Sequence, residues 1–124
     1  MRLLLDTHTL LWWLADDPGL DRDAAEAISG AALVAVSAAS AWEIAIKQAL
    51  GKLTGPEDLA AELRVNEMTA LPITVAHATA AGALPQLHAD PFDRMLVAQA
   101  RAEDLTLVTR DPQLSRYGVP VLHA

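Results

Sequence analysis

The sequence predicts an α/β fold, a three-layer α/β/α domain with a mostly parallel central sheet. Two observations carry that expectation. Short, nearly continuous apolar runs recur along the chain, as strands buried on both faces require. Between them lie longer segments with apolar residues at helical spacing, and strands alternating with helices build a parallel sheet covered on both sides.

Taken in order, Arg2 to Leu5 is the first strand, stopped by Asp6. Thr7 to Ala15 follows as a helix with Leu10, Leu11 and Leu14 on one side, ended by Asp16-Asp17-Pro18-Gly19. Asp21 opens a helix that runs to Ser29 and is closed by Gly30. Leu33 to Val36 is the second strand, and a helix from Ser40 to Leu50 stops at Gly51. Pro56 suits a first helical position, so a helix is expected from there to about Glu67. Leu71 to Thr74 reads as a strand, Val75 to Ala83 as a helix and Leu84 to Ala89 as a loop. Pro91 to Glu103 is a helix, and Thr106 to Thr109 and Val119 to Leu122 are the last strands. No repeat, low-complexity tract or linker interrupts residues 1–124, which are read as one domain.

Composition sets limits. The chain contains no cysteine, which excludes disulfides, thiolate metal sites and a cysteine nucleophile and fits a reducing compartment. No apolar run is long enough for a signal peptide or a membrane span, so a soluble, cytoplasmic protein is expected. The net charge of −7 argues against coating nucleic acid through a basic surface. It leaves room for an acid cluster whose charge divalent cations offset.

The acidic residues fall in a pattern. Asp6 ends the first strand, Glu43 sits at the start of the helix after the second, Asp93 lies in the first turn of the Pro91 helix, and Asp111 follows the Thr106 strand. In an open parallel sheet these positions converge on the carboxyl edge, where sites form. Each also has a structural explanation. Ser40-x-x-Glu43 matches a capping box, Asp90-Pro91-Phe92-Asp93 matches an N-cap and first turn, and Asp111-Pro112 is a turn signal. Asp6 follows three leucines and has no evident capping duty, since Thr7 suffices. Burying its carboxylate is costly without a cation or several donors. Acidic oxygens gathered at one edge favour hard cations such as Mg²⁺ or Mn²⁺, and such ions can activate water for phosphodiester cleavage.

Leu4-Leu5-Asp6-Thr7-His8 and Ser37-Ala38-Ala39-Ser40-Ala41-Trp42-Glu43-Ile44 resemble the first half of a PIN domain. The stretches from His88 to Ala100 and from Leu107 to Asp111 resemble the second half. Their order and the short chain are similar to VapC, the toxin component of VapBC toxin–antitoxin pairs. The resemblance implies an endoribonuclease using one or two Mg²⁺ or Mn²⁺ ions, with Asp6, Glu43, Asp93 and Asp111 as ligands and metal-activated water as nucleophile. It also implies that Thr109 is a hydroxyl near the metal, with Asp90 as N-cap or auxiliary acid. The implied partners are an RNA substrate, a VapB-like antitoxin that blocks the site, and a second copy in a homodimer, with no membrane.

Basic neighbours complete the expected site. Lys47 shares a helix face with Glu43, as an ion pair or a phosphate contact. Arg94 and Arg110 adjoin the acids and are read as phosphate grips, with an Asp90–Arg94 helix pair as the alternative. Of Trp12 and Trp13, one is expected inside and the other partly exposed; Trp42 is expected to pack at its helix start. His8, His77, His88 and His123 show no ligand spacing and are read as structural or solvated, with His8 near enough to support the acids. Two other functions compete: a phosphoryl-transfer domain with Asp6 as nucleophile, and an interaction module whose acids only cap helices. The first lacks a second acid two residues after Asp6, where His8 stands.

Overall fold

The structure, a computed structural model, describes residues 1–124. Five strands, β1 (Arg2–Leu5), β2 (Leu33–Ser37), β3 (Thr69–Leu71), β4 (Thr106–Thr109) and β5 (Val121–His123), form one sheet in the order β3-β2-β1-β4-β5. Every pairing is parallel. Helices α1 (Thr7–Leu14), α2 (Arg22–Gly30), α3 (Ala38–Ala49), α4 (Leu59–Val65), α5 (Val75–Ala83) and α6 (Pro91–Glu103) connect the strands, and a 3₁₀ segment (Pro112–Tyr117) links β4 to β5. No helix is long and apolar enough to cross a membrane.

The alternation of side chains along a strand divides the interior into two cores. In the central strand, Leu3 and Leu5 face Leu10, Ile28, Ile44, Leu63 and Met68. Leu4 faces the opposite way, onto Leu96, Val97, Ala100, Leu114 and Tyr117. All three leucines are fully buried, which is why β1 reads as a continuous apolar run. The chain moves outward from β1 to β2 and β3, then returns to add β4 and β5 on the other side. The switch therefore lies between β1 and β4, and a crevice is expected beyond their carboxyl ends.

Several boundaries differ from the sequence expectation. Helix α3 begins at Ala38, because the Ser37 hydroxyl caps it by accepting the Ala39 N–H at 3.0 Å. Ser40 is therefore inside the helix, and no Ser40–Glu43 capping box forms. Helix α4 begins at Leu59, after Asp58 accepts the Ala61 N–H, rather than at Pro56. Strand β3 is Thr69–Leu71, ending before Pro72, which has no N–H to give a ladder. Thr74 instead caps α5 in a reciprocal arrangement with His77. Strand β5 starts at Val121, two residues later than expected, while the Pro120 carbonyl accepts the Leu107 N–H at 2.9 Å.

Candidate metal centre at the carboxyl edge

Asp6 continues β1 by one residue, its N–H donating to the Val108 carbonyl at 3.1 Å, so its side chain emerges at the β1–β4 switch. It is buried, and its Oδ1 accepts the Thr9 N–H at 2.9 Å. Asp6 is thus the N-cap of α1, the duty the sequence had suggested for Thr7. The Thr7 hydroxyl does something else. It donates to Glu43 Oε1 at 2.6 Å and lies 3.1 Å from Ser40 Oγ. A hydroxyl has one proton, so with Thr7 donating to the carboxylate, Ser40 donates to Thr7. Glu43, in the second turn of α3, also accepts from Lys47 Nζ at 3.0 Å. The Glu43–Lys47 ion pair expected from their spacing is present.

On the other side of the switch, Asp90 caps α6, its Oδ1 accepting the N–H groups of Phe92 at 2.8 Å and Asp93 at 3.3 Å. That leaves Asp93 free to point into the crevice. Asp111 caps the 3₁₀ segment with Oδ1, accepting the Gln113 N–H at 2.9 Å, and turns Oδ2 toward the same space. Thr109, fully buried, accepts the Asp111 N–H on its hydroxyl at 3.1 Å and so fixes the turn that presents Asp111.

Between Asp93 and Asp111 stands His88. Its Nε2 lies 3.0 Å from Asp93 Oδ2 and 3.2 Å from Asp111 Oδ2. One donor atom from each of these three residues lies within 4.8 Å of the others, a grouping that excludes Asp6 and Glu43. His88 had been read as structural or solvated; its side chain instead belongs to the acid cluster. No sequence spacing exposes it, because a loop carries it there.

The electrostatics are those of crowded acids. The Asp93 carboxyl is raised from 3.8 to about 6, chiefly because burial disfavours its charged form, with further repulsion from Asp90 and Asp6. The contact with His88 works in the opposite direction and does not cancel the others.

Both arginines point elsewhere. Arg94 is buried, and its guanidinium donates to the carbonyls of Ala81, Leu84, Pro85 and His88, at 2.9 to 3.3 Å, and to the Tyr117 hydroxyl at 3.4 Å. With every reach directed at the Leu84–Ala89 loop and its surroundings, it is neither a phosphate grip nor the partner of Asp90. Arg110 lies over the Trp12 ring, 4.1 Å from its centroid, and donates to the carbonyls of Gly19 and Ala124. It too is turned from the acids. Trp12 and Trp13 are both half-buried, Trp13 donating to Asn66 Oδ1 at 3.1 Å, so neither is the fully buried one of the pair. Trp42 is 63% exposed and meets the edge of Phe92 at 5.5 Å, tying α3 to α6. His77 is buried, its Nδ1 accepting the Thr74 N–H at 3.1 Å while Nε2 lies 2.9 Å from Glu103, a structural position as expected. His8 is exposed and lies against Trp12.

A parallel five-stranded sheet, helices on both faces and acids gathered at its switch point define a three-layer α/β/α protein of the PIN-like class. The match to the PIN domain family spans residues 3–120, and the chain belongs to that family. It is 34% identical over 126 residues to Ribonuclease VapC22 of Mycobacterium tuberculosis, covering 95% of this chain and 93% of that protein. Among solved structures, it resembles VapBC2 of Rickettsia felis bound to a promoter DNA fragment, with a TM-score of 0.72 and 16% identity over 100% of this chain and 99% of that one. It also resembles DNA-bound VapBC of Salmonella typhimurium, with a TM-score of 0.71 and 18% identity over 99% and 98% of the two chains. At these identities the structural likeness speaks for the fold.

Proposed function

We propose that this chain is a divalent-cation-dependent endoribonuclease, acting as one PIN-like domain over residues 1–124 and as the toxin of a type II toxin–antitoxin pair. The observation that carries the reading is the gathering of Asp93, Asp111 and His88 beside the end of β1, with the Asp93 carboxyl raised to about 6 by burial and by repulsion from Asp90 and Asp6. Such a cluster is poorly tolerated as bare carboxylates and well suited to a hard cation. The donor set fits Mg²⁺ or Mn²⁺: carboxylate oxygens, one imidazole and no thiolate. When bound, one or two such ions supply Lewis acidity and lower the pKa of water for phosphodiester hydrolysis.

The protein's own groups prepare that site. Asp6, Asp93 and Asp111 are the proposed primary ligands, and Glu43 adds a carboxylate oriented by Thr7 and Lys47. Thr109 holds the turn before Asp111, and the Thr9 N–H fixes the rotation of Asp6. Asp90 is committed to its cap and contributes charge more than a ligand atom. Lys47 is 38% exposed beside Glu43, and it is the basic residue placed to meet a phosphate.

The kinship with a VapC ribonuclease and the fold shared with VapBC complexes support RNA as substrate and a VapB-like antitoxin as partner. A second copy of the chain in a homodimer belongs to the same proposal. The reading is tested with Asp6→Asn, which keeps an acceptor for the Thr9 N–H. The variant folds, binds less Mn²⁺ and loses divalent-dependent RNA cleavage. Undiminished cleavage by this variant, free of contaminating nuclease, refutes the proposal.

A further inference from the structure

Resting on the reading of the acids as an ion site, we infer that His88 is a nitrogen ligand of the bound cation, completing a one-histidine, two-carboxylate face with Asp93 and Asp111. Three observations carry this. The first is metric. Adjacent ligand atoms around an octahedral ion with bonds of about 2.1 Å stand √2 times farther apart, about 3.0 Å. His88 Nε2 stands 3.0 Å from Asp93 Oδ2, a hydrogen bond without the ion, and 3.2 Å from Asp111 Oδ2; once its proton passes to Nδ1 or to solvent, both nitrogen–oxygen edges already have that length. All three donor atoms lie within 4.8 Å of one another, against about 4.2 Å for opposite ligands of such an ion, so small side-chain rotations suffice to close the set.

The second is positional. His88 sits in a loop, where a side chain would ordinarily move freely, but this loop is pinned. Arg94, buried in α6 one residue beyond Asp93, donates to the carbonyls of Leu84, Pro85 and His88 itself. Tyr117 adds a second donor to the Pro85 carbonyl at 3.2 Å. The guanidinium thereby holds the backbone of His88 against the helix that carries Asp93. A buried arginine spent on loop carbonyls is a costly arrangement, and it makes sense if the imidazole must arrive at a fixed point.

The third is chemical. The imidazole is partly exposed, with 19% of its side chain accessible, and its Nε2 lies between the two carboxylates. An imidazole ligand raises the preference of an oxygen site for transition ions over Mg²⁺. The structure therefore assigns His88 a part in ion choice: Mn²⁺ and Co²⁺ bind with its nitrogen, whereas Mg²⁺ relies on the carboxylates.

The test uses the full chain loaded with Mn²⁺. Electron spin-echo modulation shows a directly bound ¹⁴N in the wild type and in His8→Ala, and none in His88→Ala. By calorimetry, His88→Ala weakens Mn²⁺ about tenfold or more while changing Mg²⁺ far less. Arg94→Lys, which disturbs the loop clamp, reduces the ¹⁴N signal at a given Mn²⁺ occupancy. Mn²⁺ binding to the wild type without ¹⁴N coupling overturns the inference and leaves the nuclease reading standing. No Mn²⁺ binding at all overturns both.

Discussion

Asp93→Asn removes one charge from the crowded edge, and its effect on folding can be worked out. In the folded protein without cation the Asp93 carboxyl sits near 6, against 3.8 without the surrounding structure. At about 1.4 kcal/mol per unit, ionised Asp93 opposes folding by at most about 3 kcal/mol. Its side chain is 25% accessible, and solvent screening reduces this to about 1–2 kcal/mol. Because the folded value is the higher one, the folded state holds the extra proton. Stability is then full below pH 4, falls as pH rises toward 6 and levels off above it. Asparagine has no such titration, and its carbonyl still accepts from His88. In EDTA at pH 7.5, Asp93→Asn should melt about 3–8 °C above the wild type. The gap should close toward pH 4. With saturating Mn²⁺ the order reverses, since only the wild type gains from a ligand that prefers the folded state. Scanning calorimetry across that pH range decides it. An Asn variant that is no more stable at pH 7.5, or a gap independent of pH, refutes the claim that burial and the neighbouring acids disfavour ionised Asp93 in the folded protein.

Two further substitutions separate support from chemistry. Arg94→Ala strips donors from several buried carbonyls and should cost about 3–5 kcal/mol in denaturant unfolding, with Arg94→Lys recovering part. An Arg94→Ala protein of normal stability with weakened RNA binding would restore the phosphate role that the structure denies it. Thr7→Val removes the 2.6 Å bond to Glu43 and should cost about 1–2 kcal/mol while lowering Mn²⁺ affinity, read by the same melts and by titration.

Much of the fold was legible because apolar burial on both sheet faces leaves a plain mark. Leu3, Leu4 and Leu5 are fully buried and read as a strand without further help. The carboxyl-edge placement of Asp6, Glu43 and Asp111 followed from the strand ends of a parallel sheet, and that of Asp93 from taking its helix to start at the same edge. The errors share a physical origin: sequence adjacency does not say where a side chain points. Arg94 follows Asp93 directly, but consecutive residues on a helix lie about 100° apart, so one enters the crevice and the other the interior. Arg110 leaves the end of β4 on the face opposite Thr109, toward Trp12. Capping misled in both directions. Asp6 caps α1 while Ser40 caps nothing, because Ser37 had already closed that position. His88 carried no signal, since its place depends on a loop held by an arginine whose role is visible only in three dimensions.

The central claim, that the acids of this edge hold the cation through which RNA is cut, is tested most directly by one paired titration. Cleavage of a labelled single-stranded RNA is followed as free Mn²⁺ is raised from an EDTA-treated start, alongside ion occupancy measured by calorimetry on the same protein. The account predicts no cleavage in EDTA, a rate that rises along the occupancy curve, and loss of both in Asp93→Asn. Cleavage that persists in EDTA, or an Asp93→Asn protein that binds no ion and still cuts at the wild-type rate, contradicts it.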